Sequence, residues 1–386
     1  MRGVGRATFA RPFGSWCARL DVTGKASGVK MRTREVWWIG RAGSLDRLAQ
    51  RSESLPDPGP GEARIAVKAI GLNFADLFAG LGLYSATPKG AFVPGLECAG
   101  TVEALGPVAS PSGSGDAPGR VLRQGERVIG LTRFGAYATA INLDVRYLWP
   151  LPQDWSFVEG AAFPVQSLTA WYGLIELGGL APGDALLVHS AAGGVGLNAL
   201  RIADGTGAQV IATVGRPAKR DFLVERCGLA PDRVIVRNRR GFGAQLDGAL
   251  AALGVEGFDL VLDAVAGPFF RPAYQRLRPE GRLVLYGAAD LMPRRARPNY
   301  LRLALKYLRR PRLDPLRMIA ENKSVMAFNL IWLWDRVDRL SQAYDALSRL
   351  TPRPPFVGRR FAFADAPAAL RHLQSGESIG KVVLEI

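Results

Sequence analysis

The sequence predicts an α/β protein in two parts, one β-rich and one built on a doubly wound parallel sheet. Three observations predict it. Up to about residue 152 the chain reads as short strands broken by Pro- and Gly-rich turns. From about residue 153 strand and helix patterns alternate, as in βαβ units. Within that second part "LLVHSAAGGVGLNAL", residues 186–200, passes from an apolar strand through small residues into a helical pattern.

The elements follow in order. "EVWWIG" is a strand beginning at Glu35, and "SLPDPGPGE" is the loop before the strand "ARIAVKAIG". "PSGSGDAPG" (111–119) reads as a flexible surface loop, and "ERVIGL" and "YATAINL" as further strands. Ser156 is an N-cap with Glu159 three residues on, opening one helical pattern that runs to the stop "GGLAPG". Then "DALLVHS", "QVIATVG", "DRVIV", "FDLVLDAV" and "GRLVLYG" are strands, with helices in "VGLNALRIADGTG", "PAKRDFLVERCG" and "FGAQLDGALAALG". These strands are Val/Ile/Leu runs rather than alternations, as expected when both sheet faces are covered. The last forty residues are of mixed character and close with the strand "GKVVLEI"; no internal repeat is present.

Composition narrows the function classes. At 386 residues with 48% hydrophobic and 22% charged side chains, the chain suits a soluble two-domain protein. No run of 18 apolar residues exists to span a membrane. Cys17, Cys98 and Cys227 are odd in number and far apart, which argues against a disulfide framework and for a reducing, cytoplasmic setting. The net charge of +16 invites a nucleic-acid reading, but residues 1–30 and 292–317 carry most of it, and Arg outnumbers Lys 42 to 8 throughout. Compositional bias explains that better than a ligand, so no nucleic-acid partner is expected. Residues 1–30 are Arg-rich without an apolar core segment, which fits an organelle-targeting peptide. A disordered tail, or an over-extended start with Met31 the true first residue, is the simpler reading.

The small-residue turn is where chemistry enters. Read as a dinucleotide fingerprint, it has Ala191 where the first Gly would stand, with Gly193 and Gly196 at the third and sixth positions. Gly193 lets backbone approach a pyrophosphate, Gly196 lets helix and strand pack closely, and the helix N-terminus offers free N–H groups. An NAD site places an acid about twenty residues on to bind the ribose 2′-OH. Here "ATVGRPAKR" has no acid before Asp221, while Arg216, Lys219 and Arg220 follow at once. A 2′-phosphate needs cations there, so NADPH is the expected cofactor. The bland alternative is a solvated basic turn in an Arg-rich chain.

The stretches "GLNFADLFAGLGLY" (71–84), "PGLECAGTV" (94–102), "LTAWYGL" (168–174), "VHSAAGGVG" (188–196) and "LVLYGAADL" (283–291) occur in one order over nearly the whole chain. In this the sequence resembles the zinc-independent medium-chain reductases of the quinone oxidoreductase (zeta-crystallin) group, nearest the synaptic-vesicle amine transport protein homologues. The resemblance implies a GroES-like β-barrel domain (31–152 with 336–386), a Rossmann domain (153–335), a cleft between them, and a homodimer through a strand near "SVMAFNL" (324–330). It implies NADPH-dependent reduction of quinones or α,β-unsaturated carbonyls, with enoyl-thioester reduction as the alternative. Zinc-using relatives carry Cys where Asn73 stands and His-Glu where Leu96-Glu97 stand, so no metal site is expected; Glu97 reads as a buried structural acid.

Without zinc, a protein group must donate to the oxygen on which charge develops. Zinc-free enoyl-thioester reductases carry N-x-x-D-x5-G-x-Y, matched here by Asn73, Asp76, Gly82 and Tyr84. The resemblance implies Tyr84 as proton donor, Asn73 beside the nicotinamide ribose, and Asp76 bracing the loop; a packed aromatic, with water as the proton source, is the alternative for Tyr84. It also implies cofactor contacts from Thr169, from Ala192, Gly193, Gly194, Val195 and Gly196 at the turn, and from Thr213, Gly215, Arg216 and Lys219 after the next strand. Arg237, where the family often has Tyr, then Asp263 and Val265, and Tyr286 and Gly287, follow at later strand ends. Phe328, Asn329 and Leu330 close on the nicotinamide, and Lys381 lies near the cleft. His189 reads as structural.

One rival class remains, a membrane-associated binding protein that keeps the reductase fold. "PNYLRLALKYLRRPR" (298–312) sets Leu301, Ala304, Leu305 and Leu308 on one helical face with Arg302, Lys306, Arg309 and Arg310 elsewhere. Such a helix suits weak association with an anionic membrane, and equally a cap over the cofactor cleft.

Overall fold

The structure, a computed structural model, describes residues 31–107 and 122–386. The basic tail 1–30 and the loop 111–119 lie outside the described residues. Two large sheets organise the chain.

The second part forms a six-stranded, all-parallel sheet from β1 (Ala185–His189), β2 (Gln209–Val214), β3 (Val234–Val236), β4 (Phe258–Asp263), β5 (Leu277–Leu285) and β6 (Ser324–Ala327). The order is β3-β2-β1-β4-β5-β6, so the winding reverses between β1 and β4. The apolar strands feed both faces. Leu186, Val188, Ala212 and Leu262 pack with the helices α1 (Pro164–Trp171), α2 (Gly194–Thr206) and α7 (Val337–Leu350). Ala185, Leu187, Ile211 and Val261 point the other way, onto the helices α4 (Phe242–Leu253) and Phe270–Gln275. Between β2 and β3 runs α3 (Pro217–Cys227); before β6 come α5 (Tyr300–Leu308) and α6 (Pro315–Glu321).

The first part is a mostly antiparallel assembly centred on Glu62–Gly71, with Val357–Ala362 parallel to Lys381–Glu385 at one edge. That strand pairs with Glu97–Leu105, with Ala140–Asp144, and with Lys381–Glu385 from the far end of the chain. The strand Arg32–Ile39 pairs only locally, with Leu48–Leu55, and touches the assembly through single bridges at Ala138 and Phe92. The two parts share a core, in which Trp149 stacks on Tyr344 of α7 at 4.7 Å and Tyr147 on Trp334 at 3.8 Å.

Most expected elements are present, with one instructive difference. The single helix expected from Ser156 is three: Phe157–Ala161, α1, and a π-helical turn Tyr172–Leu177. Its N-terminus is as read, because Ser156 and Glu159 form a reciprocal capping box. Pro164 then ends it, since proline has no N–H for the preceding turn and restarts a helix as its first residue.

Candidate active site

A cavity of about 1030 Å³ opens at the carboxyl ends of the parallel strands and extends to the first part of the chain. Ligands of open α/β sheets sit at such a strand-order reversal. Of the expected positions, Ala192, Gly193, Gly194, Val195, Gly196, Gly215, Lys219 and Arg237 line it on the nucleotide side. Asn73, Tyr84, Thr169, Tyr286, Gly287, Phe328, Asn329 and Leu330 line it further along. Asp76, Thr213, Arg216, Asp263, Val265 and Lys381 stand behind or beside the wall.

The turn is held by geometry rather than by a first glycine. Ser190 takes φ 55°, and Gly193 caps α2, whose first residues Gly194, Val195 and Gly196 line the cavity. A Cβ at Gly196 would lie 2.5 Å from the Ala191 Cα and from two backbone oxygens, so only glycine permits this helix–strand approach. The turn also has a partner from outside the nucleotide unit. The Gly380 N–H donates to the Ala192 carbonyl at 2.8 Å, seating the loop 375–380 on the turn.

Past β2 a group of cations gathers. Arg237 is fixed by donating to the Thr213 hydroxyl at 2.9 Å and lies 5.3 Å over the Phe269 ring; burial brings it down to about 10. Burial and the neighbouring Arg237 and Arg216 bring Lys219 down to about 8. Arg216 points to the rim and donates to Glu377 at 2.9 Å. The Thr213 hydroxyl also meets Nδ1 of the buried His189, which burial holds near 4 and therefore neutral. Asp263 braces its own turn, its Oδ1 accepting from the Val265 and Ala266 N–H groups at 2.7 and 2.9 Å, while its buried Oδ2 has no partner among the described residues.

At the other end Tyr84 donates to the Asn329 amide oxygen at 2.8 Å across the cavity. Gly82, at φ 69°, turns the chain to bring Tyr84 there. Burial pushes the phenol up to about 12, so it is a protonated donor at neutral pH. Beneath lies a buried polar network. Lys381 pairs with Glu97 and donates to the Asn73 side-chain amide oxygen Oδ1 at 2.8 Å. Asn73 donates back to Glu97 at 2.7 Å, and the second Glu97 oxygen accepts from the Val165 N–H. Lys381 is 1% exposed, and burial lowers its pKa. Asp76 accepts from the Asn73 N–H at 2.8 Å and the Tyr137 hydroxyl at 3.1 Å, and burial pushes it up to about 7.

Sequence reasoning missed two features of the cavity and left a third open between two readings. Gln166 on α1 lies across the turn, its amide oxygen 1.5 Å from where a Gly194 Cβ would be, and that oxygen is buried without a partner among the described residues. The loop 375–380 contributes Ser375, Gly376, Ser378 and Gly380. The helix α5 lines the cavity with Tyr300, Leu303, Ala304 and Tyr307, and is tied down by Lys306, which pairs with Asp290 at 3.2 Å. Only the helix had a sequence signal, its apolar periodicity. Its leucine face is not what covers the cavity: Leu301 and Leu308 point outward, 74% and 63% exposed.

Comparison with known proteins fits this geometry. Residues 59–153 match the alcohol dehydrogenase GroES-like domain, and residues 232–384 the family described as zinc-binding dehydrogenase. The synaptic vesicle membrane protein VAT-1 homolog of Rattus norvegicus is 30% identical over 343 residues, which cover 88% of this chain and 80% of that protein. The structure of mycobacterial Rv1454c complexed with NADPH is similar with TM-score 0.75 at 27% identity, covering 91% of this chain and 100% of that one. The quinone oxidoreductase of Thermus thermophilus, also described in complex with NADPH, has TM-score 0.67 at 30% identity over 91% of this chain and 100% of that one. With a GroES-like part joined to a Rossmann-like parallel sheet, this chain is an oxidoreductase of the medium-chain dehydrogenase/reductase family, in its quinone oxidoreductase-like group.

Proposed function

We propose that the chain is a zinc-independent reductase of quinones or α,β-unsaturated carbonyls that uses NADPH. The observation that carries the reading is one continuous cavity that joins a phosphate-type turn and a cation cluster to a protonated, half-buried tyrosine. The residues present fit the cofactor. The α2 N-terminus and the Gly193–Gly196 backbone suit a pyrophosphate, and Lys219, Arg237 and Arg216 suit a 2′-phosphate. When bound, NADPH supplies a hydride. Tyr84 then holds a proton toward the substrate oxygen as it gains charge, turning its hydroxyl from Asn329. The Glu97–Lys381 pair holds the Asn73 amide in one orientation at the cavity floor.

Zinc does not fit. At the family's metal position stand the amide of Asn73, the apolar Leu96, and Glu97, already neutralised by Lys381. The nearby Cys98 is buried with its thiol pushed up to about 12 by burial, so it offers no thiolate. No step is routed through a metal.

NADPH fluorescence on titration with the protein, followed by a panel of quinones, enones and enoyl thioesters, tests the reading. Binding with turnover of quinones or enones is expected; absence of NADPH binding would sink it, and turnover of thioesters alone would move it to the enoyl-reductase alternative. Tyr84→Phe should lower kcat about a hundredfold, as loss of a general acid does, with NADPH binding intact. An unchanged kcat would assign the proton to water.

A second reading concerns assembly. β6 ends the parallel sheet, and beside it Leu316 and Ile319 of α6 are each 76% exposed. These support a homodimer formed by extending the sheet. The exposed Leu301, Leu305 and Leu308 among arginines support weak docking of α5 to anionic lipid. Light scattering of Ile319→Glu, and liposome flotation of Leu305→Glu, separate the two: the first should yield monomers, the second should stay in the unbound fraction. A wild-type monomer that does not float would remove both.

A further inference from the structure

The cation cluster has an internal anion. Arg216 caps α3 at the rim of the cavity, and its two terminal nitrogens are both engaged by the loop 375–380. One donates to the Glu377 carboxylate at 2.9 Å, the other to the Ser375 carbonyl at 3.3 Å. This loop comes from the opposite part of the chain and is seated on the phosphate-type turn by the Gly380–Ala192 hydrogen bond. Its neighbours Ser375, Gly376, Ser378 and Gly380 form cavity wall, so Glu377 is carried to the edge of the site rather than left on remote surface. Of the groups that act on the charge of Lys219, Arg237 and Arg216 disfavour it while Glu377 alone favours it.

We infer that Glu377 is a specificity-determining residue: it is the resident counter-ion of the 2′-phosphate subsite, and a 2′-phosphate must displace it from Arg216. The inference rests on the NADPH reading and deepens it. Two anions cannot share one guanidinium without mutual repulsion. The carboxylate therefore lowers affinity for a 2′-phosphorylated nucleotide and leaves a nucleotide with a free 2′-hydroxyl untouched. Selectivity is set by the balance of Arg216, Lys219 and Arg237 against one acid delivered from outside the nucleotide unit. The ordinary NAD pattern carries its acid at the end of the second strand; here the acid arrives from a loop 161 residues away in sequence.

Calorimetric titration with 2′,5′-ADP and with 5′-AMP tests this without turnover. Glu377 is 56% exposed at its side chain, so Glu377→Gln should leave the melting temperature unchanged. It should tighten 2′,5′-ADP about two- to fivefold, the range of an exposed ion pair, with 5′-AMP unaltered. The gain should shrink at high salt, where exposed charges are screened, and vanish in an Arg216→Ala background. Unchanged 2′,5′-ADP binding, or equal tightening of both probes, would overturn the inference while leaving NADPH use intact. Wild-type protein that does not prefer 2′,5′-ADP to 5′-AMP would overturn the NADPH reading and this inference together.

Discussion

The two ends of the cavity are built by different means. At the nucleotide end, backbone does the holding: a strand, a turn at φ 55°, and a helix N-terminus within a dozen residues. At the substrate end, side chains do it, through pairs such as Lys381–Asn73, 308 positions apart, and Tyr84–Asn329, 245 apart. A backbone site tolerates most side chains but not a misplaced Cβ. A side-chain site tolerates shape changes poorly and loss of a charge partner hardly at all.

Lys381→Met breaks the comparison most sharply. It leaves Glu97 charged, buried and without its ammonium, which costs about 3–5 kcal/mol. Urea denaturation should show that loss, and adding Glu97→Gln should recover most of it. A loss below about 1 kcal/mol would mean the network is dispensable.

Next comes pH, because each end holds one buried group whose pKa is moved into or across the range between pH 4 and 7. The Asp76 carboxyl, raised from 3.8 to about 7, contributes stability that is complete at acid pH and lost as pH rises through that window. His189, lowered from 6.5 to about 4, contributes stability that is complete above 6.5 and lost as pH falls. The two effects oppose each other between about pH 4 and 6.5, and at 1.36 kcal/mol per unit they amount to about 4 kcal/mol for Asp76 and about 3 kcal/mol for His189. Asp76→Asn should therefore expose a stability that falls toward acid pH, and His189→Gln one that falls toward neutral pH. Identical profiles in both variants would show that neither group titrates as its burial demands.

The smallest effect tests the backbone end. Gly196→Ala forces a Cβ against backbone at 2.5 Å, costing about 1–3 kcal/mol as overpacking does. It should weaken nucleotide binding while leaving the Tyr84–Asn329 end unaltered. Equal damage to a substrate-analogue affinity would mean the ends are not separable.

The same division explains what could be read in advance. The parallel sheet, the turn and its helix are local patterns, and so is the capping box at Ser156. The break at Pro164 was equally local, a proline inside a helical pattern, yet apolar spacing on both sides of it masked the interruption. The partners of Lys381, the loop over the turn and the outward leucines of α5 depend on contacts between distant segments. Spacing along one chain does not encode these. Arg216 shows the limit well: its residue type and position pointed to a phosphate, but its carboxylate partner lies 161 residues on.

The strand Lys381–Glu385 pairs with Glu62–Gly71 and carries the ammonium that neutralises Glu97. During synthesis, then, the early half of the barrel must wait. Until residue 381 emerges, Glu97 has no cation, the Glu62–Gly71 strand has an open edge, and the phosphate-type turn lacks the Gly380 bond. Loops of this length close slowly and leave sheet edges exposed meanwhile. A nascent chain halted before residue 380 should therefore be bound by chaperones, and emergence of residues 380–385 should act as the trigger that commits both halves to their final form.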